Sequence, residues 1–128
     1  MTHPEPLRAT QRWDGLGLTI TITKSDDQEA YLRLAGCLDS ASAPLLQACL
    51  ENQLAIGRRY VRMDLSGLSF VDSAGLSVIA DAHEVFLARR GTLVLTRLGP
   101  RTWRLLQVVG LDDELLIAVG RPAMALRA

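Results

Sequence analysis

Apolar and polar residues alternate along the first part of the chain. Residues 16–23 read Leu-Gly-Leu-Thr-Ile-Thr-Ile-Thr, and the alternation returns over residues 30–35. A period of two is typical of strands that bury one face. The polar stretch at residues 24–29 favours a hairpin between them, so we predict an antiparallel pair. Residues 1–14 show no period, and we interpret them as a flexible tail.

Helical and strand patterns then alternate along the rest of the chain. Apolar residues recur every three or four positions in three segments, each followed by a short apolar run. The predicted helices are residues 43–55, 73–90 and 100–109, and the predicted strands beside them are residues 60–65, 93–95 and 115–119. The order β-β-α-β-α-β-α-β predicts an α/β domain with a parallel or mixed sheet and helices packed on it.

Composition and charge narrow the class of protein. The 128 residues are 48% hydrophobic and 22% charged, which is typical of one soluble globular domain. The 14 basic and 14 acidic side chains cancel, and this balance argues against a nucleic-acid partner. We interpret Arg101 and Arg104 as part of a solvated helix face. No signal peptide is visible, and the longest apolar run falls far short of the roughly 20 residues that span a bilayer. We therefore expect no membrane insertion and a cytoplasmic protein.

Cysteine and histidine usage gives no sign of a metal centre. Cys37 and Cys49 are too few for a disulfide framework and lack metal-ligand spacing, while His3 and His83 stand alone. We expect reduced thiols, no metal site and no cofactor.

The most informative segment is residues 64–76, which read Asp-Leu-Ser-Gly-Leu-Ser-Phe-Val-Asp-Ser-Ala-Gly-Leu. We predict that a strand ends here, that residues 66–72 form a loop, and that a helix begins at Ser73. Ligands of open α/β sheets favour this edge, and a helix N-terminus offers free N–H groups and partial positive charge. A phosphate on Ser73 would meet donors already in place. The alternative is that Ser73 simply caps the helix, and spacing alone favours that interpretation.

Two enzymatic interpretations of this segment find little support. A nucleophile elbow needs Gly-x-Ser-x-Gly, but Val71 lies two residues before Ser73. The nearest base, His83, is about 15 Å further along the helix. Asp64 as a Mg²⁺-dependent phosphoacceptor would need further acidic residues and a late lysine, yet Lys24 is the sole lysine. We expect no catalytic residues and no enzyme activity.

Three separated segments resemble the STAS domain, and specifically the bacterial anti-sigma factor antagonists. They are residues 61–76, residues 36–39, which match the family's Gly-Glu-Leu-Asp turn, and residues 109–111, which match a later Gly-Leu. The resemblance implies a mixed sheet with helices packed on one side. On this basis we place the domain at residues 15–121, between tails at residues 1–14 and 122–128.

The resemblance also implies a switch. Ser73 would be the phosphoacceptor, and the kinase would be an anti-sigma factor with a histidine-kinase-like ATPase fold. The unphosphorylated antagonist would bind that factor and free a sigma factor, phosphorylation would release it, and a serine phosphatase of the PP2C type would reset it. By the same match Asp39 would lie beside Ser73. The partner-binding residues implied in this way are Asp39, Ser40, Asp72, Ser73, Ala74, Gly75 and Leu76.

The sequence departs from the family pattern at two positions. Cys37 stands where the turn usually has an acidic residue, and Ala74 stands where a second Ser or Thr is common. The second departure leaves Ser73 as the only hydroxyl at this point of the motif. The alternative function is a STAS module that is never phosphorylated, such as a scaffold or a lipid-transport subunit.

Overall fold

The computed structural model describes residues 10–24 and 26–117. The strands are β1 (Thr10–Gly15), β2 (Leu18–Lys24), β3 (Glu29–Leu38), β4 (Tyr60–Val71), β5 (Thr92–Thr96) and β6 (Leu116–Ile117). The helices are α1 (Ala43–Ala55), α2 (Ser73–Ala88) and α3 (Pro100–Val109). The predicted tail at residues 122–128 and the last two residues of the predicted strand at 115–119 lie outside the described residues.

The strands form one mixed sheet, which confirms the predicted fold class. They lie side by side in chain order, from β1 at one edge to β6 at the other. The pairs β1–β2 and β2–β3 are antiparallel, and β3 to β6 are parallel to one another. Each parallel connection passes through a helix. Since such crossovers are right-handed and run in one direction across the sheet, the helices cover the same face.

The hydrophobic core lies between that face and the helices. Alternate strand residues are fully buried there, including Leu32, Leu34, Met63 and Leu65. The helices contribute further buried side chains, among them Leu46, Leu50, Leu76, Ile79 and Phe86. The opposite face of β2 carries three half-buried threonines, at positions 19, 21 and 23. The alternation of apolar and polar residues in β2 therefore predicts correctly which face of the sheet the helices cover.

Strand β1 corrects the predicted tail, because residues 10–14 belong to the sheet. β1 pairs with β2 across a two-residue turn made by Leu16 and Gly17. Both turn residues have positive φ, 53° and 86°, as in the tight turns whose twist suits a hairpin. Trp13 pairs with Ile20 and packs against the core from the sheet edge. The strand is held by its pairing with β2, by this aromatic side chain and by a 2.7 Å hydrogen bond that the Thr19 hydroxyl donates to Asp14 Oδ1.

Strand β4 corrects the predicted loop at residues 66–72, because the strand continues to Val71. Its pairing with β3 shifts register twice, so β-bulges carry the strand past the end of the regular ladder. One shift lies close to Gly67, where an added Cβ would sit 2.7 Å from the Leu34 carbonyl oxygen. Helix α2 also ends at Ala88 instead of residue 90.

Candidate functional site

The carboxyl ends of β3 and β4 bring the two predicted site segments together. Leu38 pairs with Val71 as the last residue of each strand. The next backbone N–H, that of Asp72, donates to the Leu38 carbonyl oxygen at 3.1 Å. Asp39 and Asp72 therefore follow paired residues on neighbouring strands, and α2 begins immediately beside them.

Asp72 caps helix α2. Its backbone is extended, and its Oδ1 accepts a hydrogen bond from the Gly75 backbone N–H at 3.1 Å. Ser73 is the first helical residue and is exposed. No described residue forms a hydrogen bond with its hydroxyl. The alternative interpretation of Ser73 as the helix cap is therefore wrong, because Asp72 is the cap. The Ser73 side chain is left at the surface.

The first turn of α2 also favours negative charge. A helix N-terminus carries about half a positive unit charge on its free N–H groups. The Gly75 N–H is occupied by Asp72, whereas the N–H groups of Ser73 and Ala74 have no acceptor among the described residues. An anionic group attached at Ser73 would lie next to these donors.

Asp39 is held in place by a compact turn ahead of α1. Its Oδ1 accepts from the backbone N–H groups of Ala41 and Ser42, at 3.0 and 3.1 Å. The buried Ser42 hydroxyl donates to the Cys37 carbonyl oxygen at 2.8 Å and accepts from the Asp39 N–H at 3.0 Å. Ser40, at the tip of this turn, is exposed. Ser42 is absent from the predicted site, although an Asp followed three residues later by Ser just before a helix could have signalled it.

Two of the predicted partner-binding residues are buried in the domain. Leu76 is 0% exposed and belongs to the core, and Gly75 is buried against Leu38. A Cβ added at Gly75 would lie 2.9 Å from Leu38 Cδ2 and 3.1 Å from the Leu38 carbonyl oxygen. They lie beneath the surface that carries Ser73, and their part in partner binding stays a prediction. They position Ser73 by allowing α2 to approach the end of β3.

Residues 36–38, matched in sequence to a turn, belong to the end of strand β3, and their course depends on glycine geometry instead of on an acidic side chain. Gly36 has φ of 101°, and a Cβ there would collide with the Gly17 carbonyl oxygen. Cys37 is half-buried, and its Sγ lies 3.8 Å from the Ser69 hydroxyl oxygen. The thiol therefore makes a neutral polar contact with β4. Cys37 and Cys49 are both free cysteines.

Asp64 is a buried carboxylate on the uncovered face of the sheet. Burial alone raises the pKa of its carboxyl, but a 2.8 Å hydrogen bond from the Ser66 N–H and the positive charges of Arg97 and Arg33 outweigh it. The result is a pKa below the usual value. Arg97 Nε lies 3.6 Å from Asp64 Oδ2, and the Tyr31 hydroxyl donates to the same oxygen at 3.4 Å. These contacts tie β3, β4 and the end of β5 together and give Asp64 a structural role.

Two other kinds of feature are absent from the described part of the chain. Residues 10–24 and 26–117 contain no group of three or more His, Cys, Asp or Glu side chains placed to hold a metal ion. Within the same residues, none of the helices combines the length and the apolar character that crossing a membrane requires.

Comparison with known proteins relates both segments of the site to one family. The STAS domain profile matches residues 20–121. The anti-sigma-B factor antagonist of Listeria monocytogenes is 32% identical over 98 residues, which cover 77% of this chain and 86% of the relative. A crystal structure of an anti-sigma factor antagonist from Mycobacterium paratuberculosis has a TM-score of 0.70 at 24% identity, covering 86% of this chain and 92% of that one.

A second solved structure shares the fold at lower identity. The Bacillus cell fate determinant SpoIIAA in its phosphorylated form has a TM-score of 0.63 at 19% identity, covering 85% of this chain and 99% of that one. The profile match spans most of the chain and includes both Asp39 and the segment from Asp72 to Leu76. The chain therefore belongs to the STAS domain family.

Proposed function

We propose that this chain is an anti-sigma factor antagonist that is switched by phosphorylation of Ser73. In the unphosphorylated state it binds an anti-sigma factor in the bacterial cytoplasm, and a sigma factor is freed. Phosphorylation releases the antagonist. One observation carries the proposal: Asp72 caps α2, so Ser73 is the exposed first residue of the helix and its hydroxyl bonds to no described residue.

The helix N-terminus explains why the domain would stay folded after modification. A phosphate adds about −1.5 to −2 charge units at neutral pH. Negative charge at an exposed helix N-terminus is stabilising by roughly 0.3–1 kcal/mol. Since Ser73 is exposed, its phosphate needs no rearrangement of the core. The modification therefore changes the surface and leaves the fold intact.

The same charge would disrupt a protein interface built on this edge. The accessible residues of the surface are Asp39, Ser40, Asp72, Ser73 and Ala74. Burying a phosphate against a partner without a cation costs far more than burying a hydroxyl. Asp39 and Asp72 lie on adjacent strand ends and add like-charge repulsion. A loss of only about 2.7 kcal/mol weakens binding about a hundredfold.

The enzymes of the cycle are supplied by the partners. In this proposal the anti-sigma factor has a histidine-kinase-like ATPase fold and transfers phosphate to Ser73, and a PP2C-type serine phosphatase removes it. This chain contributes the acceptor hydroxyl and the docking surface, and acts as a non-enzymatic regulator. The name of the Listeria relative and the phosphorylated state of SpoIIAA are consistent with such a cycle.

A capture and phosphorylation experiment tests this function. Wild-type protein and Ser73→Ala are used to capture partners from the native host, which are identified by mass spectrometry. The captured partner is then incubated with ATP and fresh wild-type, Ser73→Ala or Ser77→Ala protein. Ser77 is a matched control because it is an exposed serine one turn further along α2.

We expect an ATPase-type partner that phosphorylates wild type and Ser77→Ala at Ser73 and leaves Ser73→Ala unmodified. Capture of a partner that has no kinase activity toward Ser73 would overturn the switch. The non-phosphorylated scaffold or lipid-transport subunit would then take its place.

A further inference from the structure

A cleft opens between the end of β4 and the start of α3. Its volume is about 450 Å³, and it is lined by residues 68–71 on one side and 99–102 on the other. β5 pairs with β4 only as far as Asp64. Residues 65–71 of β4 therefore have no strand beside them on the α3 side, within the part of the chain that the structure describes.

The start of α3 presents free donors to this cleft. The cap residue is Gly99, which has no side chain to accept from the first turn, and Pro100 has no N–H. The backbone N–H groups of Arg101 and Thr102 consequently have no acceptor among the described residues, and the first helical bond is made by Trp103 to the Gly99 carbonyl oxygen. Free first-turn amides and the positive end of the helix dipole favour an anion.

Thr102 gives an independent indication of a ligand. It is only 5% exposed, and it lines the cleft. Its hydroxyl forms no hydrogen bond with any described residue. This hydroxyl is not one of the described polar atoms that are closed off from solvent without a partner, so its remaining exposure is to the cleft. It is therefore a free side-chain donor held in a fixed position in the wall of the cleft, beside the free first-turn amides.

The side chains that line the cleft favour a negatively charged ligand. Arg101 is exposed, lines the cleft, and forms no ion pair with a described residue. No carboxylate lines the cleft, whose other polar side chain, Ser69, donates its hydroxyl to the Gly36 carbonyl oxygen. The remaining side-chain donors are therefore the Arg101 guanidinium and the Thr102 hydroxyl, and both suit an oxyanion.

We propose that this cleft binds an oxyanion, either a carboxylate or a phosphate, through the N–H groups of Arg101 and Thr102, the Thr102 hydroxyl and the Arg101 side chain. Two sources supply this chemistry: an Asp or Glu of an extended protein segment lying along the free edge of β4, or a small free anion. The proposal does not depend on phosphorylation of Ser73. It concerns the same strand, since Val71 lines the cleft and leads directly to Asp72.

The site can be tested by NMR titration of ¹⁵N-labelled protein at constant ionic strength, with chloride as the reference anion. One arm uses inorganic phosphate. The other uses the blocked peptide acetyl-Thr-Val-Glu-Val-Thr-amide, with the Glu-to-Gln peptide as its control. We expect at least one probe to give saturable shifts of the Arg101 and Thr102 amides. Shifts that also include residues 68–71, with the Glu peptide only, identify a protein segment as the source, and shifts with phosphate alone identify a free anion.

Variants of α3 separate a built site from general charge attraction. Thr102→Val should weaken binding about tenfold, because a hydrogen bond to a charged group is lost, whereas Thr102→Ser should retain it. Arg101→Ala should weaken binding, while Arg104→Ala, an exposed arginine of the same helix outside the cleft, should not. The absence of saturable shifts at Arg101 and Thr102 with both probes would overturn the proposal. Equal affinity of wild type and Thr102→Val would do so as well.

Discussion

The Asp72 backbone N–H donates to the Leu38 carbonyl oxygen at 3.1 Å, and this bond joins the two halves of the candidate site. It sets the end of β4 against the end of β3, so Asp72 can cap α2 beside the turn that holds Asp39. The close approach continues one turn later, where Gly75 packs against Leu38. The exposure of Ser73 therefore follows from backbone contacts of its neighbours.

Gly75→Ala should destabilise the domain. The added Cβ would clash with the Leu38 side chain and approach its carbonyl oxygen at 3.1 Å, which outweighs the higher helix propensity of alanine. We expect a loss of about 1–3 kcal/mol in the free energy of unfolding, measured by urea denaturation. The control is Ser77→Ala, at an exposed position of the same helix. Equal stability of the two variants would show that α2 does not depend on this close approach.

Asp72→Ala should weaken the start of α2. The variant loses the acceptor for the Gly75 N–H, and a lost N-cap costs about 1 kcal/mol. Asp72→Asn keeps an acceptor oxygen and should lose less, with only its interaction with the helix dipole removed. Thermal unfolding followed by circular dichroism measures both. If the alanine variant is no less stable than the asparagine variant, Asp72 is not the functional cap.

Asp64 should make the free energy of unfolding depend on pH. Its pKa is lower in the folded protein than its usual value, so the carboxylate contributes stability at pH values above that usual value. This contribution is lost as the pH falls through the depressed pKa. We expect the free energy of unfolding of wild type to exceed that of Asp64→Asn at pH 6, and the gap to narrow towards pH 3. Asp81→Asn, an exposed change of the same kind, is the matched control. A gap that is constant with pH would contradict the assignment.

The two thiols should differ in reactivity. Burial raises the pKa of the Cys49 thiol to about 12, so almost none of it is thiolate at pH 8. Cys37 is half-buried near the surface. With a thiol-specific chromogenic reagent we expect one fast and one slow phase in the folded protein, and two fast thiols in urea without reductant. Cys37→Ser should remove the fast phase. A fast phase that persists in Cys37→Ser would show that the core around Cys49 opens readily.

Much of the fold could be predicted because its strands and helices bury regular faces. Helices α1 and α3 begin and end at the predicted residues, since their apolar spacing is bounded by Pro and Gly residues. The sequence does not predict strand β1, because Trp13 is its one large apolar residue and no alternation is visible. The strand forms because its backbone pairs with β2. The extension of β4 was missed because β-bulges have no period.

The site was predictable in part for a similar reason. Short-range spacing places Ser73 at the start of a helix, but it does not show which residue caps that helix. The Asp72 cap and the Ser42 hydrogen bonds join residues only three to five positions apart, where neighbouring Asp and Ser residues offer the same capping chemistry. The packing of Gly75 against Leu38 and the bond from the Asp72 N–H to the Leu38 carbonyl oxygen join residues more than thirty positions apart, which local patterns cannot report.

Calorimetric titration of the cognate anti-sigma factor with four forms of this protein tests the central claim most directly. The forms are wild type, Ser73→Ala, Ser73→Asp and protein phosphorylated at Ser73, with circular dichroism as the folding control. We predict tight binding of wild type and Ser73→Ala, binding about a hundredfold weaker for the phosphorylated form, and an intermediate loss for Ser73→Asp, whose carboxylate carries less charge. If the phosphorylated form is folded and binds as tightly as Ser73→Ala, Ser73 is not the switch.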